Sequence, residues 1–403
     1  MTRETPGAAE APIHCRRVLG QVRGESPGPT MMAMAAVHGN ELAGIRAAER
    51  LLDRVEPSRL RGRVIFLAGN LAAIKEHTRF IAADLNRIWT STNVSRVLAR
   101  GGSRDPVIED KEQLELIETI GELLDGAPEP IYFLDMHTSS APGPPFVTVG
   151  DTLRNRRFAL RFSLPIILGL EEQIDGSLLE YLNNCGFITV GVEAGQHDRG
   201  ESVDRLESIL WQALIGAGML DAADVPERTC HQQRLASAVS GIPRVIEVRH
   251  RHAIAPEDHF RMERGFENFM KVEKGRLLGH DAHGLILAPA RGLILLPLYQ
   301  GKGDDGFFIA REVRPFWLRV SGVLRRLRAA SLLRLLPGVR RHPTEFGALV
   351  VETRLARLYP LEIFHLLGFR RLRRTGTQLL VARRRYDLVE PTQVRFPLEH
   401  GPV

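Results

Sequence analysis

Apolar runs and amphipathic stretches alternate along roughly the first 220 residues of the chain. Short apolar runs predict strands at Thr30–Val37, Val64–Ala68, Ile131–Met136, Ile166–Leu168 and Phe187–Val192. Between them, apolar positions spaced three or four apart predict helices at Leu42–Val55, Lys111–Leu124, Thr152–Phe162, Ser177–Asn184 and Val203–Gly216. Leu114, Ile117 and Ile120 or Leu124 show that period. Strands alternating with helices of this length predict an α/β domain with a mainly parallel or mixed sheet.

Near residue 226 the pattern changes. Val245–Val248, Leu285–Ala288 and Leu293–Leu296 are short strand-like runs broken by Gly and Pro, with no long helical pattern between them. A basic helical stretch, Phe316–Leu335, follows, and then a strand–helix–strand pattern at Ala348–Val351, Leu361–Leu367 and Leu379–Ala382. The expected organisation is an N-terminal segment (1–29), an α/β domain (30–225), a small β-rich domain (226–310) and an arginine-rich α+β extension (311–403).

A chain of 403 residues suggests two or three domains. Its 44% hydrophobic and 25% charged residues are the balance of a soluble globular protein. At this length neither disulfides nor metals are needed to hold a core. Cys15, Cys185 and Cys230 lie far apart and are odd in number, which favours a reducing compartment. The start lacks the apolar region of a signal peptide, and no uncharged apolar run is long enough for a membrane span. A cytoplasmic protein is expected. Charge is uneven: residues 311–403 hold 19 Arg, no Lys and seven acidic residues, a net +12, so residues 1–310 carry −6 against the chain's +6.

Candidate chemistry sits at strand ends. His38-Gly39-Asn40-Glu41 follows the apolar run MMAMAAV and precedes a helix, so a strand-end imidazole and a first-turn carboxylate can share a centre. Two His and one Glu suit Zn²⁺ with an open position. His137, ending the run IYFLDM, is the candidate third ligand, because ligand sites in open α/β sheets form beyond the carboxyl ends of strands. Asp135, two residues earlier on the same strand face, can orient the His137 ring. Alone, His-x-x-Glu also describes an ordinary helix start; His137 tips the reading toward one zinc ion.

Arg79-Phe80 and Asp84-Leu85-Asn86-Arg87 place two arginines and an asparagine within nine residues, a set suited to a small anionic substrate. From spacing alone a solvated loop is the more ordinary reading. Glu193 ends the apolar run ITVGV and can accept a proton from a metal-activated water, or simply terminate a strand.

Together these motifs, with Asn70, Ile88-Trp89 and Val192-Glu193-Ala194-Gly195, resemble in order and spacing the aspartoacylase and succinylglutamate desuccinylase family, the amidohydrolase branch of the zinc carboxypeptidase fold. The resemblance spans about residues 30–310, because Ala288-Pro289 through Gln300 and Gly303-Asp304-Asp305-Gly306 look like that family's C-terminal domain. It implies a zinc-carboxypeptidase-like mixed sheet flanked by helices. It also implies one Zn²⁺ per chain on His38, Glu41 and His137, Arg79 polarising the scissile carbonyl, Asn86 with Arg87 gripping an α-carboxylate, and Glu193 as general acid/base. The implied activity is hydrolysis of the amide of N-acyl amino acids.

One departure stands out. The stretch before Glu193, SLLEYLNNCGFITVGV, lacks the arginine with which the family resembled reads an acidic side chain. Neutral or basic N-acyl amino acids are therefore expected to be cleaved at least as well as N-acetylaspartate. Arg249-His250-Arg251-His252 with Asp258 and His259 reads as a polar strand rather than a second metal site, because the arginines repel a cation. Asp304 and Asp305 read as turn residues, and Tyr299 as a core residue or a channel wall. The basic tail carries no nucleic-acid recognition signature and reads as a solvated or self-associating accessory region, dispensable for hydrolysis of a small substrate. A small N-acyl substrate, no specific nucleic acid, no membrane span and a possible homo-oligomer complete the expectations. The alternatives are a zinc carboxypeptidase acting on small peptides and a non-enzymatic scaffold or nucleic-acid-associated protein.

Overall fold

The computed structural model describes residues 15–100, 107–343, 347–352, 361–375, 377–388, 391 and 393–397. Residues 1–14 of the N-terminal segment and parts of the arginine-rich extension lie outside the described residues.

Eleven strands form one mixed sheet. In chain order its first eight are β1 (Val18–Arg23), β2 (Ser26–Ala35), β3 (Arg61–Ala68), β4 (Ile131–Ser139), β5 (Phe146–Val149), β6 (Ile166–Leu168), β7 (Ile188–Gln196) and β8 (Val245–Ala253). Then come β9 (Arg261–Met262), β10 (Lys271–Val272), β11 (Leu277–Asp281), β12 (Gly284–Leu287), β13 (Gly292–Leu295) and β14 (Asp305–Glu312). The spatial order is β1-β3-β2-β4-β7-β5-β6-β8-β14-β13-β10, while β12-β11-β9 form a separate three-stranded sheet. Pairing is parallel from β3 through β2 and β4 to β7, so β2, β4 and β7 present their carboxyl ends along one rim.

The run Met31-Met32-Ala33-Met34-Ala35 shows why this strand is central. Met31, Ala33 and Ala35 enter the core on one face, and Met32 and Met34 enter the core on the other. A strand buried on both faces reads as continuously apolar. Helices α1 (Ala43–Leu52), α5 (Leu153–Ala159) and α7 (Gly200–Gly216) supply the first face. Helices α3 (Ser91–Arg100), α4 (Ile108–Leu124) and α6 (Leu178–Cys185) supply the second. The short α2 (Leu71–Lys75) lies between β3 and α3.

In the α/β and β-rich regions the predicted strands and helices are present, with ends shifted by a few residues, whereas the basic stretch Phe316–Leu335 divides into an α-helix over Pro315–Arg326 and a 3-10 helix over Ala329–Leu335. β1, β5 and α3 were not predicted. Nor was α8 (Arg228–Ala238), whose sequence RTCHQQRLASA buries only His231 and Leu235 and so has no apolar stripe to read. The β-rich region does not hold a wholly separate sheet: β8 pairs with β6 and β14 with β8, extending the main sheet.

The arginine-rich extension holds α9 (Pro315–Arg326), α10 (Leu361–Leu366) and a sheet of β15 (Val339–Arg341), β16 (Leu349–Glu352), β17 (Phe369–Thr375) and β18 (Gln378–Arg383), in the order β15-β16-β18-β17. It has its own core around Val351, Phe364 and Val381. It is nonetheless docked. Arg325 is fully buried, 2.9 Å from Asp151 and 3.2 Å from Asp387, and Arg156 meets the same Asp151 at 2.8 Å. Farther along, Phe396 packs on Tyr181 and Phe187. The expectation of a solvated accessory region is corrected on this point. An arginine buried against a carboxylate of another region is expensive to expose, which the arginine count alone does not show. No helix among the described residues is long and apolar enough to cross a membrane.

Candidate active site

His38 lies three residues beyond β2, and the backbone turns sharply so that Glu41 N–H donates to His38 O at 3.0 Å. Gly39 is required here by space: a Cβ would lie 2.1 Å from the carbonyl carbon of Ala73. His137 lies within β4, in register with Glu193 on β7. Register and turn together bring His38, Glu41 and His137 to one point. Among the described residues these three are the one His, Cys, Asp or Glu group of metal-ligand geometry, with ligand atoms within 4.8 Å of one another.

All three are buried. Each imidazole turns Nδ1 inward, His38 at 2.8 Å from Glu41 Oε1 and His137 at 3.0 Å from Glu41 Oε2. Each Nε2 faces a carboxylate outside the group: Asp84 Oδ1 at 3.2 Å for His38, and Asp135 Oδ2 at 2.9 Å for His137. Such partners fix ring orientation and leave the other nitrogen for a metal. Burial works to raise the Glu41 carboxyl, but the imidazoles of His38 and His137 override it and hold the group well below the usual range. Burial works to lower His137, and Asp135 with Glu41 overrides it and lifts the imidazole well above its usual value.

A second layer holds the arginines. Arg79 donates from Nη2 to Asp84 Oδ2 at 3.0 Å, and its Nη1 lies 3.7 Å from Glu41 Oε1. The loop carrying it is organised by α4, whose buried Glu109 accepts the backbone N–H groups of Ile81, Ala82 and Ala83 at 2.7 to 3.1 Å. Lys302 donates to Phe80 O at 2.6 Å from the other side. Asn86 accepts the Leu178 N–H through Oδ1 at 2.9 Å. Glu193 lines the same cleft, and its Oε2 is buried without a hydrogen-bond partner. Burial raises its carboxyl to about 8, with His137 and Arg79 pulling down and Glu41 pushing up. All seven residues singled out from the sequence line one cleft of about 130 Å³.

Residues 27–208 match the succinylglutamate desuccinylase/aspartoacylase catalytic domain. Over this segment the chain is similar to that catalytic domain. A succinylglutamate desuccinylase of Pseudomonas putida is 45% identical over 64 residues, 15% of this chain and 19% of that one. One from Pseudoalteromonas atlantica is 26% identical over 159 residues, 38% of this chain and 40% of that one. The matched segments thus span a fifth to two fifths of these relatives. In fold, the chain is similar to a succinylglutamate desuccinylase/aspartoacylase from Rhodobacter sphaeroides, with TM-score 0.54, 20% identity, and coverage of 74% of this chain and 88% of that one. It is also similar to the ectoine utilization protein EutE (DoeB) from Ruegeria pomeroyi, with TM-score 0.52, 20% identity, and coverage of 72% and 87%.

Above the cleft, the β13–β14 loop forms a roof. Leu296, Pro297, Leu298, Gln300, Gly303, Asp304 and Asp305 line the cleft, and Asn40 donates to Gln300 Oε1 at 2.9 Å. Tyr299 is not a channel wall, because its hydroxyl donates to Glu263 O at 2.9 Å and accepts the Phe266 N–H at 2.9 Å. Asp304 and Asp305 do more than shape a turn: Asp305 Oδ2 lies 2.8 Å from Arg87 Nη2, and Asp304 Oδ2 lies 3.7 Å from Arg87 Nε. On β8, His252 stacks on Phe307 with ring centroids 4.9 Å apart, as a polar strand residue.

Three lining or supporting roles were not read from the sequence. Asp84 holds His38, a pairing 46 positions apart that no local pattern signals. His197 lines the cleft with Nδ1 2.8 Å from Thr138 Oγ1. Glu171 lines it from the segment after β6.

Proposed function

We propose that this protein is a zinc-dependent hydrolase that cleaves the amide bond of N-acyl amino acids. The observation that carries this reading is the pairing of two inward Nδ1 atoms and Glu41 with the partnerless Oε2 of Glu193, which sits beside His137 in the β4–β7 register. The donor set fits zinc: two imidazoles and one carboxylate, buried, with both rings held from behind. When bound, Zn²⁺ supplies Lewis acidity and lowers the pKa of a water ligand toward about 7.

The chain's own residues then do the following. Glu193 takes the proton of the attacking water and returns it to the leaving amine, a role suited to a carboxyl raised toward neutrality. Arg79, held by Asp84, presents a permanent cation to the carbonyl oxygen as negative charge grows there, an effect of roughly 3–4 kcal/mol for a well-placed donor. Asn86 and Arg87 hold the α-carboxylate and so set the amide against Glu193. The fold around the site is a general scaffold, and the assignment rests on these groups rather than on the fold.

The test is a screen of Nα-acetyl and Nα-succinyl amino acids with zinc-loaded protein, against dipeptides with a free carboxyl end. Release of the free amino acid from acyl substrates, lost on removing zinc, is expected. Cleavage of the dipeptides alone favours the carboxypeptidase reading.

A further inference from the structure

The cleft extends away from Glu193 along β5, and its far wall has a chemistry that amide hydrolysis does not use. Phe146 sits opposite Glu193 and Thr148 opposite Gly191, so Thr148 lies one strand repeat, about 7 Å, farther along. β6 pairs parallel to β5, and the segment that follows it contributes Leu170 and Glu171 to the lining of the same cleft. The wall is completed by Ile174, Ser177 and Leu179. Leucines and an isoleucine, two hydroxyl side chains and a single carboxylate make up this wall.

That carboxylate is unusual. Glu171 is 5% exposed, and neither of its oxygens has a hydrogen-bond partner. Arg384 of the C-terminal extension approaches to 3.6 Å from Glu171 Oε2, but its hydrogen bond goes to Glu172, from Nε to Oε1 at 3.3 Å. A buried carboxylate without hydrogen-bond donors is costly, and a ligand donor would remove that cost. Burial, ahead of the neighbouring carboxylates of Glu172 and Glu180, raises Glu171 to about 8 against the pull of Arg384. An arriving positive charge would reverse that shift.

Position decides which half of the substrate meets this wall. The segment carrying it packs on Asn86 and Arg87: Leu178 N–H donates to Asn86 Oδ1, Trp89 N–H donates to Gly176 O at 2.9 Å, and Gly176 lies against the Arg87 carbonyl. The α-carboxylate proposed to sit on Asn86 and Arg87 therefore places the amino-acid side chain, not the acyl group, against Glu171.

We infer that Glu171 is a specificity-determining residue that receives the cationic end of the substrate's side chain, so that the preferred substrates are N-acyl amino acids ending in an amine or guanidinium. This rests on the N-acyl amino acid reading above and narrows it. Leu170, Ile174 and Leu179 suit the methylenes of such a side chain, and Glu171 suits its charged end. An acidic side chain would meet a second buried carboxylate, and a neutral one would leave Glu171 without a hydrogen-bond donor and with only the 3.6 Å approach of Arg384; both are disfavoured, because sites built around a polar partner reject analogues lacking it.

The test uses the zinc-loaded full chain and compares kcat/KM for Nα-acetylornithine and Nα-acetyllysine with Nα-acetylnorleucine, Nα-acetylglutamine, N-acetylaspartate and N-succinylglutamate, with the Nα-succinyl forms of the first four run in parallel. Cationic substrates should exceed the norleucine and glutamine compounds by at least about tenfold, with the acidic ones lowest. Glu171→Gln should collapse the cationic-to-norleucine ratio by at least about tenfold. Wild-type ratios near one, an acidic preference, or an equal loss on every substrate in Glu171→Gln would overturn the assignment while leaving the deacylase reading in place. If none of these compounds is hydrolysed, the deacylase reading itself fails and this inference falls with it. The wild-type comparison decides the matter even if the variant does not fold.

Discussion

Asp305 Oδ2 lies 2.8 Å from Arg87 Nη2, so the guanidinium proposed to grip the substrate carboxylate is already met by a carboxylate from β14. Asp305 is in turn held by Arg251. A substrate carboxylate must compete for the face of Arg87 that Asp305 uses, which weakens binding without touching the reacting atoms. Asp305→Asn should therefore lower KM several-fold for substrates with a free α-carboxylate and leave kcat within about twofold. Their methyl esters should not respond. A rise in KM for acid and ester alike would mean that Asp305 positions Arg87 rather than competing for it.

Zinc should bind at one ion per chain, and His38→Ala or His137→Ala should abolish binding while the fold persists. Asp84→Asn and Asp135→Asn, which release the outer ring nitrogens, should each weaken zinc by about 10–100-fold. His137 holds a proton more firmly than an ordinary imidazole, and a metal must displace a proton from the ring nitrogen it uses. Raising the pH removes that competitor, so zinc affinity should climb with pH through and above about 6.5. Metal-buffered titrations at several pH values check the sign; affinity that is flat or falls across that range contradicts the ligand set.

Glu193→Gln should keep its zinc and lose about 10²–10⁴-fold in kcat. Glu193 must be ionised to take a proton, and burial, opposed by His137 and Arg79 and aided by Glu41, raises its carboxyl to about 8. A bound dication lowers that value, so the acid limb of kcat/KM should have its midpoint at or below about 8 and activity should rise with pH across it. Loss of zinc in the variant would make Glu193 a ligand or a structural group instead.

The C-terminal extension should be needed for stability. Arg325 is wholly buried between Asp151 and Asp387, and removing one partner of a buried pair typically costs about 3–5 kcal/mol. Arg325→Met should lower Tm by several degrees, and ending the chain at residue 310 should give a less stable protein, since Asp151 and the surface under Phe396 become exposed. Thermal melts of the full chain, the variant and the shortened chain test this; equal Tm values would restore the picture of a detachable region.

The strand-end histidines, the carboxylate at Glu41 and the base candidate Glu193 were legible in the sequence because each follows an apolar run, and strand ends in an open α/β sheet share a rim. MMAMAAV announces a strand buried on both faces, and no other segment is needed to see it. Hydrophobic period and strand-end chemistry are local, and local patterns survive in a one-dimensional string. What the tertiary structure alone decided are pairings between distant segments. Asp84 orients His38 from 46 positions away, Asp305 blocks Arg87 from 218 positions away, and Asp151 receives Arg325 from 174 positions away. Glu171 looks like any surface glutamate until β6 carries it into the cleft wall. The charge of the C-terminal extension could be counted from the sequence, but not that Arg325 and Arg384 are spent inward rather than offered to solvent. The physical reason is that a charged side chain takes its meaning from its partners and its burial, and both are set by which strands lie side by side.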